Sequence, residues 1–224
     1  MGALTIILWI TVVVLTLDAA AEIGLVAATI AWLNNHPSQL TYINYGGPTY
    51  LRYWPFLPHI LWRNHVYLNI AVGAIIFVLI GVLGIAALTL RKRQSFASST
   101  SSKIVYHLWL LFTLCSTALT LAALIYTYVL EHMARNQLAA NGSSTYTTAY
   151  TPRTWFSELL AELYIRPASE QLDIVNNLQI MEAWQINLIP LFILSFLVAT
   201  FAVVEAVIAR SKANKLRSAR KIEG

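Results

Sequence analysis

The sequence predicts an all-α fold, a polytopic membrane protein built as a four-transmembrane-helix bundle with short extracellular helices. Three observations carry that prediction. Of 224 residues, 58% are hydrophobic and only 11% charged, and the mean hydropathy is +0.62, too apolar for an ordinary soluble domain. Four apolar stretches, about 3–33, 65–90, 104–130 and 184–209, are each long enough to cross a hydrocarbon core about 30 Å thick. Most Lys and Arg residues gather in two segments, 91–103 and 210–224.

The first span, Ala3 to Leu33, carries LDAAAE at its centre. A cleaved signal peptide would explain small residues before Glu22, but no basic residue precedes the run and apolar character resumes at Ile23, so cutting after Ala21 would divide one helix. Orientation follows from Arg91, Lys92, Arg93 and Lys103 in the middle connection and Arg210, Lys212, Lys215, Arg217, Arg220 and Lys221 in the tail. Basic excess marks cytoplasmic segments, so both termini and loop 91–103 are expected in the cytoplasm, with outer loops at 34–64 and 131–183. The membrane is then the plasma membrane or one of the secretory pathway, and the sequon Asn141-Gly142-Ser143 falls in an outer loop, where it can be glycosylated.

The first outer loop reads TYLRYWPFLPHILW, and its prolines and aromatics predict an irregular segment hugging the headgroup zone. In the second, Thr154 is expected to cap a short helix with Trp155, Phe156, Leu159, Leu160 and Leu163 on one side. A further helix from Ala168 to about Gln185 is expected to run into the fourth span. Pro190 lies early in that span, where a helix accommodates it.

Cys115 is the sole cysteine, so no intramolecular disulfide can form. The Cys-Cys-Gly signature of tetraspanins and the first-loop cysteine pair of claudins are both missing. In topology, the chain resembles the MARVEL-like group of four-span proteins, with cytoplasmic ends, short soluble parts and no obligatory disulfide. The resemblance covers all four spans and carries no residue motif. It implies a non-catalytic scaffold that organises membrane patches or trafficking.

Asp18 and Glu22, at i and i+4, project about 40° apart and one turn apart in depth. A charge near the bilayer centre costs at least about 2.5 kcal/mol, so these acids must be neutral, paired or hydrated. No span holds a base away from its ends, but the third offers hydroxyls at Thr113, Ser116, Thr117, Thr120 and Thr127, mostly on one face. The structural expectation is a protonated Asp18 bonded to Thr117 and Thr120. The functional alternative is a proton- or cation-handling protein in which Asp18, Glu22 and those hydroxyls line a polar cavity. Glu205 sits about a turn from Arg210 and is expected to reach water or that base.

Small residues recur on the first span at Ala20, Gly24 and Ala28 and on the fourth at Ser195, Ala199 and Ala202, both read as close-packing rows. A second copy or another membrane protein is a possible partner for the first row. Histidines do not pair for two haems, no metal or other cofactor is implied, and hydrolase motifs are lacking. No soluble basic face is present for nucleic acid. Loop basic residues instead suit anionic inner-leaflet lipids. Within that loop, Lys92-Arg93-Gln94-Ser95 resembles a basophilic kinase site, and phosphate at Ser95 would oppose the lipid attraction.

Overall fold

The computed structural model describes residues 3–36, 38–43, 51–57, 61–93, 100–140, 150–162 and 164–222. Helix α1 spans Ala3–Asn35 and is followed by strands β1, Gln39–Ile43, and β2, Leu51–Pro55. Helix α2, Asn64–Ile75, continues through a π-wound segment, Ile76–Val82, into α3, Leu83–Arg93. Helix α4 is Thr100–Ala140, α5 is Pro152–Glu162, β3 is Tyr164–Arg166 and α6 is Ala168–Ile222. Four helical stretches are long and apolar enough to cross a membrane: Ala3–Asn35, Asn64–Leu90, Ile104–Arg135 and Ala168–Ser211. At about 1.5 Å per residue, even the shortest exceeds the roughly 30 Å of a hydrocarbon core.

Burial along these helices follows a period of 3.5. On α1 the buried residues are Leu8, Val12, Leu15, Ala19, Glu22, Val26, Thr29 and Leu33, alternating steps of four and three. On α6 the same alternation runs through Leu188, Leu191, Ser195, Val198, Ala202 and Glu205. That repeat keeps one seam against neighbouring helices, as in coiled coils. The opposite faces carry exposed large apolar residues such as Ile10, Leu17, Leu111, Ile125 and Val207. Water would not tolerate such faces, whereas lipid does.

The chain divides into two compact units. The first comprises 1–20, 72–121 and 190–224. Here helices approach through small residues: a Cβ on Gly81 would lie 2.5 Å from Thr16 Oγ1, and one on Gly84 would lie 2.6 Å from Trp109 Nε1. The Trp109 indole donates to the Ile80 carbonyl at 3.3 Å. That carbonyl lies in the π-wound segment, where the wider turn displaces the regular backbone pattern.

The second unit comprises 21–71 and 122–189. Its unexpected element is a three-stranded antiparallel sheet of order β2-β1-β3. Leu40 pairs with Trp54, and Tyr42 pairs with both Arg52 and Ile165, so the sheet joins both loops expected on the outer side. The prolines that argued against helix are compatible with short strands, since Pro55 closes β2 at the sheet edge. Leu40, Phe56, Trp155, Phe156, Ile165, Ile174 and Met181 form one buried cluster. Trp155 Nε1 anchors it by donating to the Phe56 carbonyl at 2.9 Å.

Helix α5 starts two residues before the expected cap. Thr151 Oγ1 accepts from the Thr154 backbone N–H at 3.2 Å, making Thr151 the N-cap, with Pro152 in the first helical position. Proline favours that position because its missing N–H has no helical acceptor to lose. Trp155, Phe156 and Leu159 are buried; Leu163, expected beside them, lies outside the described residues. A carboxylate ties α1 to α6 in this unit: Asp173 accepts from Trp32 Nε1 at 2.6 Å and lies 2.9 Å from His36 Nε2.

Candidate functional site

The two acids of α1 have different surroundings. Glu22 falls on the buried seam and is 0% exposed. Its Oε2 accepts from Asn187 Nδ2 on α6 at 3.1 Å. Asp18 lies one helical position off that seam and is half-buried. Asn187 was missed in the sequence because an amide early in a long apolar run gives no periodic signal.

The hydroxyls of α4 are buried, and three of them bond to backbone carbonyls. Thr113, Thr117 and Thr120 donate to the carbonyls of Trp109, Thr113 and Ser116, at 2.9, 2.9 and 2.7 Å. Thr117 also reaches the Ser195 carbonyl on α6 at 3.2 Å. Each of these hydroxyls spends its one proton on the carbonyl four residues back, so toward a protonated acid such as the expected Asp18 it can act only as an acceptor. Ser116 is buried on the same face. Thr127 accepts from Asn69 Nδ2 at 3.0 Å, joining α4 to α2.

Glu205 is buried and bonded across helices. Thr5 Oγ1 donates to its Oε1 at 3.1 Å, and Tyr106 Oη donates to its Oε2 at 3.3 Å and to the Ala202 carbonyl at 3.0 Å. These contacts join α1, α4 and α6 within the first unit. Arg210 is near Glu205 in sequence, whereas Thr5 and Tyr106 are brought to it only by the packing of three helices.

The small-residue rows also separate. Ser195, Ala199 and Ala202 are buried. Ala20, Gly24 and Ala28 are exposed, and a Cβ on Gly24 would meet nothing within 4 Å. The expectation of a close-packed α1 row within the chain is corrected accordingly, because the 3.5-residue seam selects the other side of the helix.

The second unit holds a polar cavity of about 160 Å³ where the apolar stretch of α4 ends. Thr127, Tyr128, Glu131, His132 and Arg135 line it from α4, Arg153 from α5 and Gln185 from α6. Arg153 Nη2 donates to Glu182 Oε1 and its Nη1 donates to Gln185 Oε1, each at 2.8 Å. Gln185 Nε2 then donates to Glu131 Oε1 at 2.9 Å. The arginine fixes which way the Gln185 amide faces, so its NH₂ group is presented to the carboxylate. Glu131 opens what the sequence alone marks as an outer loop and Gln185 lies at the start of the fourth span, and only tertiary structure joins them.

His65 is buried beside Trp184, with ring centroids 5.8 Å apart. Among the described residues, no group of three or more His, Cys, Asp or Glu side chains is placed to hold a metal ion. Asn141 and Ser95, the expected modification positions, lie outside the described residues. No family model, curated protein or solved structure matches this chain.

Proposed function

We propose that this chain is a four-span integral membrane protein of MARVEL-like type that acts as a non-catalytic organiser of membrane patches or trafficking. Its ends and basic middle loop face the cytoplasm and anionic lipid. The observation that carries this reading is how polar groups inside the apolar helices are used. Glu205 accepts hydrogen bonds from Thr5 and Tyr106, Thr117 reaches the Ser195 carbonyl, and Asn69 donates to Thr127. Each bond fastens one helix to another, which suits a static framework whose exposed apolar faces meet lipid or other membrane proteins.

A second reading, proton or cation handling through Asp18 and Glu22, is favoured by one observation: Glu22 is wholly enclosed and has an amide partner on another helix. Intramembrane acids in such positions can carry protons. Two measurements separate the readings. In vesicles loaded with a pH-sensitive dye, the organiser gives no proton leak above empty vesicles, and in cells it cross-links into assemblies larger than one chain. A leak abolished by Glu22→Gln, together with a chain that stays single, would overturn the organiser reading.

A further inference from the structure

The cavity beside Glu131 is lined by groups of both charges, and the network around it leaves both unspent. Glu131 is only 5% exposed. One oxygen accepts from Gln185, while Oε2 is buried and has no hydrogen-bond partner among the described residues. A buried carboxylate oxygen without a donor is unfavourable, so this position favours a ligand that brings one. Arg135, on the same cavity wall, is exposed and has no ion pair among the described residues. Arg153 uses two of its five N–H donors on Glu182 and Gln185.

A bare anion would find guanidinium groups but also the Glu131 charge. A bare ammonium would find Glu131 but also two arginines. A molecule carrying both charges satisfies both sides. Guanidinium forks match phosphate oxygens in particular. The volume of about 160 Å³ is close to the roughly 150 Å³ that admits a benzene-sized guest. The lining residues Tyr128, Glu131 and Arg135 end the apolar stretch Ile104–Arg135, the depth at which headgroups lie if that stretch crosses a bilayer.

We infer that the cavity lined by Glu131, Arg135, Arg153 and Gln185 binds an ammonium–phosphate zwitterion of the ethanolamine phosphate kind. Its N–H groups face Glu131 and its phosphate faces the arginines. The source is a phospholipid headgroup or a free phosphoamine. The inference does not depend on the organiser reading, since binding is measured without reference to assembly or flux.

The test uses the purified full chain in phosphatidylcholine nanodiscs, titrated calorimetrically with O-phosphoethanolamine. Saturable one-to-one binding is expected. Inorganic phosphate, and O-phosphocholine, whose ammonium has no N–H, should each bind about tenfold more weakly or worse, as loss of a charge-assisted hydrogen bond implies. Glu131→Gln and Arg135→Gln should each weaken O-phosphoethanolamine binding by a similar factor. Arg135 is exposed, so its variant keeps the test valid if Glu131→Gln fails to fold. With phosphatidylethanolamine in the discs, a drop in apparent affinity identifies the lipid as the source and an unchanged affinity identifies the free compound. No saturable binding, equal binding of inorganic phosphate, or an Arg135→Gln variant that binds like the parent would overturn the proposal.

Discussion

Two rows of small residues share a spacing and meet opposite fates. Ser195, Ala199 and Ala202 on α6 are buried, while Ala20, Gly24 and Ala28 on α1 are exposed. Small side chains let backbones come close, but they supply little attraction of their own. What selects the buried face is the larger geometry: a 3.5-residue seam that on α6 runs through the small residues and on α1 runs beside them, through Ala19, Glu22 and Val26. A small-residue row is therefore permission for contact, and the seam decides whether contact occurs.

Substituting along both rows tests that distinction. The largest effect is expected from Ala202→Leu, since Ala202 is fully buried and its carbonyl accepts from Tyr106. Overpacking there should cost about 1–3 kcal/mol, read as reversible unfolding in detergent or nanodiscs. Parental stability would show that the α6 row has room to spare. Gly81→Ala should follow at about 1 kcal/mol, because the new methyl would lie 2.5 Å from Thr16 Oγ1 and a β-branched side chain turns aside only with difficulty. A double-mutant cycle with Thr16→Ala should recover much of that loss; strict additivity would mean the close approach carries no energy.

Tyr106→Phe removes the hydroxyl that reaches the Ala202 carbonyl and Glu205, and interhelical hydrogen bonds of this kind average about 0.6 kcal/mol. A loss several times larger would make Glu205 the principal fastening of the first unit. The smallest effect is expected for Ala28→Leu, within about 0.5 kcal/mol in the single chain, since Ala28 is exposed. Native mass spectrometry sharpens this case: if the substitution breaks up dimers, the α1 row is covered by a second copy.

Much of the helical framework was legible from composition and run length alone. The continuation of the helix at Ala168 into the fourth apolar stretch was also legible, because the charge and polarity of its first turns give way to a mostly apolar run. The buried side of each helix was harder to read. A helix that is apolar all round has no polar face to orient it, so Ala20, Gly24 and Ala28 looked like a contact surface, and Asp18 looked equivalent to Glu22. One helical position, about 100°, separates the buried Ala19 from the half-buried Asp18.

Apolar run length and charge placement are local properties, so the sequence by itself determined that the chain is mostly helical and has four stretches suited to a bilayer. It also signalled a short helix near Thr154, although Thr151 is the N-cap and the helix begins at Pro152. Tertiary structure alone decided the sheet and the polar networks. Tyr42 meets Ile165 in the sheet, and Gln185 links Glu131 to Arg153. Such pairs are far apart in the chain, and each residue alone is compatible with many neighbours. Their pairing is set by which segments the packed helices bring together, because a strand edge or a buried carboxylate is satisfied only by a partner at the right position.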